Sequence, residues 1–201
     1  MTACARSRRR EPFPFDTAGT KGLASRPWLN ALSAPCRVMA FTGESFSTTA
    51  AMVIGNHVLA GTGNDLDAPG FLQSFDPETG DLQWKLYTVP MKEGDPGADT
   101  WEGESWRRNG HANVWAPMAL DEPRGLLYLP TSTPTSDYYG GQRPGANLFA
   151  ESLVCLDAAT GRMKWHFQTV HHDIWDWDVP TQPNLVTITV DGRRIDAVAQ
   201  V

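Results

Sequence analysis

Cysteine, long apolar runs and helical periodicity are all scarce in this sequence, and each shortage narrows what the chain can be. The three cysteines, Cys4, Cys36 and Cys155, are odd in number and widely spaced. They offer no CxxC metal pair and no evident disulfide framework, and so leave the redox compartment open. No stretch reaches the roughly 18 apolar residues of a transmembrane helix. The cluster Arg6, Arg8, Arg9 and Arg10 is not followed by an apolar segment, so the start lacks the pattern of a secretory signal peptide. Aromatic residues are not interleaved with those arginines, which argues against a nucleic-acid-binding arm. Few windows place apolar residues at i, i+3, i+4 and i+7 over a helical length. Glycine and proline, at 18 and 15 of 201 residues, are too many for a helical bundle and too few for a disordered or collagen-like chain.

What the sequence does contain is unevenly distributed. Residues 1–40 carry seven basic and two acidic side chains, whereas residues 41–201 carry ten and 21. Seven of the eight tryptophans lie beyond residue 80. Residues 1–45 therefore read as an unassigned leader, disordered or wrongly assigned, and residues 46–201 as the folded part. From residue 50 onward, short β-rich runs alternate with turn residues. Met52–Ile54, Gly55-Asn56 and His57–Ala60 spell a strand, a tight turn and a returning strand. The run from Gly70 to Phe75 alternates apolar and polar residues, as does the run from Leu82 to Tyr87. Two further strand–turn–strand units follow, at Ala119–Tyr128 and Val190–Ile195. The fold class is all-β.

The chain also repeats itself. FDPETGDLQW (75–84) and LDAATGRMKW (156–165) share D-x-x-T-G-x-x-x-W in the same register, 81 residues apart. With another unit between them the period is near 40, the length of a four-stranded propeller blade. In such a repeat, aspartate and threonine bond the turn backbone, glycine takes the positive φ, and tryptophan fills space against a neighbouring blade. These residues, Trp84 and Trp165 included, are accounted for by structure alone. About three blades fit the folded part, fewer than the roughly four to eight that close a ring. The expectation is a partial β-propeller of four-stranded antiparallel blades, a fragment of a longer protein.

Some residues exceed the needs of a scaffold. His171-His172-Asp173-Ile174-Trp175-Asp176-Trp177-Asp178 concentrates two histidines, three carboxylates and two tryptophans. A zinc site is one reading, but adjacent histidines on a strand point to opposite faces, which argues against both binding one ion. Asp176 and Asp178, two apart, would share a face if extended, an arrangement suited to a hard cation or a general base. Solvated turn aspartates are the bland alternative. Gly63-Asn64-Asp65-Leu66-Asp67 forms a second acidic cluster after a strand, where a loop would project. Trp115 lies outside the docking repeat and offers either a floor for an aromatic ligand or a core residue.

Three segments together resemble the pyrroloquinoline quinone (PQQ)-dependent dehydrogenases, the quinoprotein alcohol and glucose dehydrogenases. They are GNDLDAPGFLQSFDPETGDLQW, NVWAPMALDEPRGLLYLPTSTPTSDYYGG and RPGANLFAESLVCLDAATGRMKWHFQTVHHDIWDWDVPTQP. The resemblance implies an eight-bladed propeller with tryptophan docking motifs and a periplasmic location. It implies oxidation of an alcohol or aldose by hydride transfer to metal-bound PQQ, with an electron acceptor (cytochrome c or membrane quinone) serving the full-length protein. By the same resemblance Asp176 is the catalytic base, Trp115 stacks on the quinone, and Asp65, Asn64, Asp176 and Asp178 are the metal ligands. The metal is Ca2+, with a lanthanide or Mg2+ as alternatives.

The sequence also departs from that family's pattern. Its cation-binding asparagine falls near Thr133, a poorer ligand, and the adjacent-cysteine disulfide of the soluble alcohol enzymes is absent. The basic residue that contacts the quinone carbonyls is not found in the chain. On these grounds the chain alone is expected to be incomplete and inactive. A non-enzymatic propeller scaffold that binds protein partners is the competing function. Such a scaffold shares the docking repeat but has no use for HHDIWDWD.

Overall fold

The computed structural model describes residues 49–62 and 68–201. The leader expected over 1–45 and the acidic cluster 63–67, with Asn64 and Asp65, lie outside the described residues. Ten strands follow one another among the described residues. β1 (Met52–Ile54), β2 (His57–Gly61), β3 (Phe71–Phe75) and β4 (Leu82–Tyr87) form one antiparallel four-stranded sheet in sequential order. β5 (Ala119–Asp121), β6 (Leu126–Pro130), β7 (Ser152–Asp157) and β8 (Met163–Gln168) form a second of the same order. β9 (Asn184–Val190) and β10 (Arg193–Ala199) pair as a hairpin. Two complete blades and half of another are thus present among the described residues.

Each expected turn closes where its residues predict. The Gly55-Asn56 turn joins β1 to β2, pairing Ile54 with His57. Asp191 and Gly192, at φ 50° and 76°, make the tight turn that pairs Val190 with Arg193. Between β5 and β6, Asp121 caps a short turn by accepting from the Arg124 amide, and Gly125 leaves it at φ 64°. The Arg124 guanidinium then bonds both Asp121 and Asp196, fastening the hairpin to the second sheet.

β3 differs from its alternating sequence. All five of its residues are buried, polar Gln73 and Ser74 included. It is an inner strand covered on both faces. Ser74 meets this burial by donating to Gln83 at 2.8 Å and bonding the His57 ring at 2.9 Å.

The main core lies between the two sheets. Leu59 and Leu72 from the first meet Leu127, Leu129, Val154 and Leu156 from the second, with Trp84 and Leu86 packed at the margin. Across β7 the faces alternate. Val154 and Leu156 point into this core, whereas Leu153 and Cys155 join Tyr128 and Ala119 on the side facing the hairpin.

The repeated turns are built alike. In the first, the Asp76 carboxylate accepts from the amides of Glu78 and Thr79, and the Thr79 hydroxyl accepts from the Asp81 amide. In the second, Asp157 accepts from the amide and hydroxyl of Thr160. Those hydrogen bonds hold both carboxyls below the usual aspartate range. Gly161, at φ 68°, lies under the indole of Trp84. A Cβ placed there would stand 2.6 Å from the Trp84 ring. Tryptophan of one blade therefore sits on glycine of the next. Trp165, the equivalent residue of the second sheet, is 41% exposed and rests its ring 5.8 Å from that of Tyr128.

The Trp84–Gly161 contact yields a differential test. Gly125, also at positive φ, has open space where a Cβ would go. Gly125→Ala is expected to cost only the backbone penalty of about 1–2 kcal/mol. Gly161→Ala should cost about 1–3 kcal/mol more, from the clash with Trp84. Urea unfolding should show this excess, and it should vanish when both glycine variants are made in a Trp84→Ala background.

Candidate functional site

The loops at one end of the two sheets are drawn together by the irregular segment 110–113, which bridges both through His111. His111 donates its amide to Ala68 at 2.9 Å and accepts from the Gly70 amide at 2.7 Å. On its other side Ala112 donates to Thr133, and Ser132 donates to Asn113. Gly70 is required by this closeness, since a Cβ would stand 2.4 Å from the His111 carbonyl oxygen. The residue just past the 63–67 cluster is thus tied to the neighbours of Thr133.

Thr133 is the hub of the site. Fully buried, it donates its amide to Asp178 Oδ1 at 2.7 Å and its hydroxyl to Asp173 Oδ2 at 2.7 Å. Its carbonyl accepts from the Ala112 amide, and the His111 ring bonds the same oxygen at 3.0 Å. Thr133 therefore acts as a tether between the aspartate loop and the second sheet.

The aspartate-rich segment is not a strand. Chain pairing ends at Gln168, and His172 and Asp176 have φ of 51° and 60°. The shared face expected of an extended Asp176–Asp178 pair is thus replaced by a turn-built loop. Asp173 organises it. Its Oδ1 accepts from the Trp175 amide at 3.0 Å and its Oδ2 from the Trp177 amide at 2.8 Å. Burial alone would raise this carboxyl, but the Thr133 hydroxyl and the backbone amides hold it below its ordinary value.

The two aspartates singled out from the sequence face different partners within one cluster. Asp176, half-buried, accepts at Oδ2 from the Tyr138 hydroxyl at 3.0 Å. Asp178 accepts from the Thr133 amide and from the side chain of Trp115. Its carboxyl is raised, first by burial and then by the negative charge of Asp176, against the opposing pull of the amide, His111 and Trp115. Trp115 is half-buried and borders a cavity of about 480 Å3 with Met52, Pro117 and Met118. Structure thus brings Asp176, Asp178 and Trp115 together. Among the described residues, no three histidine, cysteine or carboxylate side chains are placed to hold a metal. His172 instead bonds the Gly145 carbonyl through Nδ1 at 2.9 Å.

Four participants were not assigned a role from the sequence. Asp173 counted only as one of three carboxylates, and Tyr138 lay unremarked in Asp-Tyr-Tyr-Gly-Gly. Arg143 and Glu151 are the others. Arg143 is fully buried, and Glu151 lies beside β7 with φ 39°. Burial pushes the Glu151 carboxyl up to about 8. The nearby Thr133 hydroxyl opposes that rise and Asp173 adds to it, while Arg143 pulls it down. The Thr133 hydroxyl itself donates to Asp173 and leaves the Glu151 oxygens without a well-formed hydrogen bond. An isolated Arg or Glu carries no signal of this kind in a sequence. At the edge of the site, Trp175, Trp177, Tyr138 and Tyr139 form an exposed aromatic rim, each more than half accessible.

Comparison with known proteins places this geometry in context. Residues 30–201 match the family described as PQQ glucose/ethanol/alcohol dehydrogenase, beta-propeller domain. The chain belongs to that family. It is 38% identical over 146 residues to the quinoprotein glucose dehydrogenase of Escherichia coli K12, a match covering 70% of this chain and 18% of that protein. The quinohemoprotein alcohol dehydrogenase of Comamonas testosteroni superposes with a TM-score of 0.71 at 28% identity, over 79% of this chain and 26% of that one. A europium-containing methanol dehydrogenase does so with a TM-score of 0.69 at 25% identity, over 78% and 30%. The chain thus spans about a quarter or less of the first two proteins' length.

The state of Glu151 has a signed consequence for stability. At and below its ordinary value of 4.5, folded and unfolded chains both hold the proton and the contribution is fully present. Between there and about 8 only the folded chain keeps it, so stability falls as pH rises and the contribution is lost above that value. Urea titrations from pH 5 to 8 should therefore show a decline, at most about 1.4 kcal/mol per pH unit, that Glu151→Gln removes.

Proposed function

We propose that this chain is part of the propeller of a quinoprotein dehydrogenase that oxidises an alcohol or an aldose, with Asp176 as the base. The observation that carries the reading is the convergence of Asp176, Asp178 and Trp115 on one loop cluster, held by Thr133 and Tyr138. A carboxylate oxygen of Asp176, half-exposed at the mouth of the cluster, is available to take the proton of a substrate hydroxyl. The Tyr138 hydroxyl occupies Oδ2 and so leaves Oδ1 for that proton. The aromatic rim of Trp175, Trp177 and Tyr139 gives a carbon skeleton a surface to lie against.

The residues present fit the group that the family implies. Asp176 and Asp178 are two oxygen donors; burial, and after it the charge of Asp176, raises Asp178, and a hard cation between them would favour the charged form. Asp65 and Asn64, which precede Ala68 in the sequence, would complete its coordination. Trp115 would stack on the quinone. When bound, PQQ accepts the substrate's hydride and the cation polarises its carbonyl. Ca2+ is the cation we favour, with a lanthanide or Mg2+ as alternatives. A soluble cytochrome c or a membrane quinone would take the electrons onward, and the periplasm is the expected compartment. Asp178, bonded to Thr133 and Trp115, fixes the indole plane relative to Asp176. A binding scaffold would have no need of two carboxylates that repel each other.

The test is Asp176→Asn in the protein that carries this propeller, loaded with PQQ and Ca2+ and assayed with an artificial electron acceptor. Turnover should fall by about 10²–10⁴-fold, the usual worth of a general base. Cofactor absorbance should be retained. Unchanged turnover would remove Asp176 from the role.

A further inference from the structure

The buried arginine of this site touches neither of the two carboxylates assigned to chemistry, yet its hydrogen bonds lie directly behind them. Arg143 donates through Nη1 to Asn147 Oδ1 at 3.0 Å. Through Nη2 it donates to the carbonyl of Ser136 at 3.1 Å and to that of Asp173 at 2.5 Å. Asn147 returns a bond to the Arg143 carbonyl at 2.9 Å, so the arginine's own backbone is held in place. One guanidinium thus joins three separate segments.

Two of those segments present the reactive edge. Ser136 lies two residues before Tyr138, whose hydroxyl holds Asp176. Asp173 begins the loop, and its carboxylate gathers the amides of Trp175 and Trp177, the residues on either side of Asp176. Asp176 itself sits at φ 60°, a conformation an L-residue keeps only where its surroundings enforce it. The bracket supplied by Asp173 is that enforcement; Thr133 holds its carboxylate, and Arg143 holds its backbone carbonyl. Lysine could not replace it, because a single ammonium lacks the planar fork that meets an amide oxygen and two carbonyls at set angles.

We propose that Arg143 is a positioning residue: by clamping the carbonyls of Asp173 and Ser136 it holds the loop carrying Asp176 and Asp178, and the tyrosine that orients Asp176, in one fixed arrangement. Its relevance to catalysis rests on the function proposed above; the clamp itself can be judged without it.

Two variants of the chain separate the clamp from mere fold support. Arg143→Lys keeps the charge and loses the fork. The double variant Arg143→Gln with Glu151→Gln removes the guanidinium together with the buried carboxyl whose charge couples to it most strongly. Amide hydrogen exchange should be read at Trp175 and Trp177, with Val154 and Leu156 in β7 as internal reference. The expected result in both variants is at least about tenfold faster exchange in the loop with β7 unchanged. Wild-type exchange at both tryptophan amides would overturn the proposal. So would equal acceleration in loop and β7, which would make Arg143 a support of the whole fold.

Tryptophan-sensitised Tb3+ luminescence supplies the second readout. Arg143→Lys should weaken Tb3+ binding by about 10–100-fold, the loss typical when ligands lose their outer support. Undiminished binding would mean that the clamp does not position the carboxylates. If the wild-type chain fails to bind Tb3+, or if Asp176→Asn and Asp178→Asn leave its binding unaltered, the cation reading fails. The exchange measurement still decides the clamp.

Discussion

Everything in this molecule depends on two β-sheets burying one face of each against the other, with Trp84 lying on Gly161 at the margin of that interface. A four-stranded meander with one apolar face is not stable in water alone, because its inner residues would remain exposed. Leu59 and Leu72 find their cover in Leu127, Leu129, Val154 and Leu156 of the next sheet. The indole fixes how closely the sheets approach, since only a residue without a Cβ fits beneath it. With that relation set, loops from both sheets emerge at the same end. The threading of 110–113 between Ala68–Gly70 and Ser132–Pro134 is a direct result.

Crowding carboxylates at that end creates an electrostatic problem with three different local answers. Asp173 is surrounded by donors, and its charge is stabilised despite burial. Asp178 has an amide and an indole to bond, but burial and then the charge of Asp176 work against its charged form. The Glu151 carboxyl is raised by burial more than Thr133 and Arg143 can lower it, and its value is pushed up to about 8. The same functional group therefore serves as loop organiser, ligand candidate and neutral core residue within one cluster. Environment, not residue type, makes the distinction. Arg143 supplies the positive charge among them and spends its hydrogen bonds on carbonyls rather than on any carboxylate.

Much of the fold was legible in advance because its signals are local. Gly55-Asn56 and Asp191-Gly192 can hardly do anything but turn, and D-x-x-T-G-x-x-x-W carries its own capping groups and its own docking ring. Asp176, Asp178 and Trp115 were legible as candidates because their residue types exceed what a blade requires. The reading that failed to transfer was geometric. Extended spacing would put Asp176 and Asp178 on one face, but the loop takes φ 60° at Asp176 under the hold of Asp173. Thr133 looked like a weakened ligand, and its two donor groups instead bind two aspartates. Such assignments depend on partners 40 and 45 positions away along the chain.

The sequence by itself determined the all-β class, the blade period, the turns, the docking tryptophan and the family. Each of these follows from residues within about ten positions of one another, or from a motif that repeats. Tertiary structure alone decided which carboxylates are charged, which residue holds the aspartate loop, and that Arg143 and Glu151 belong to the site at all. The physical reason is that burial and hydrogen bonding are properties of a place in the fold. Two sheets had to pack before that place existed.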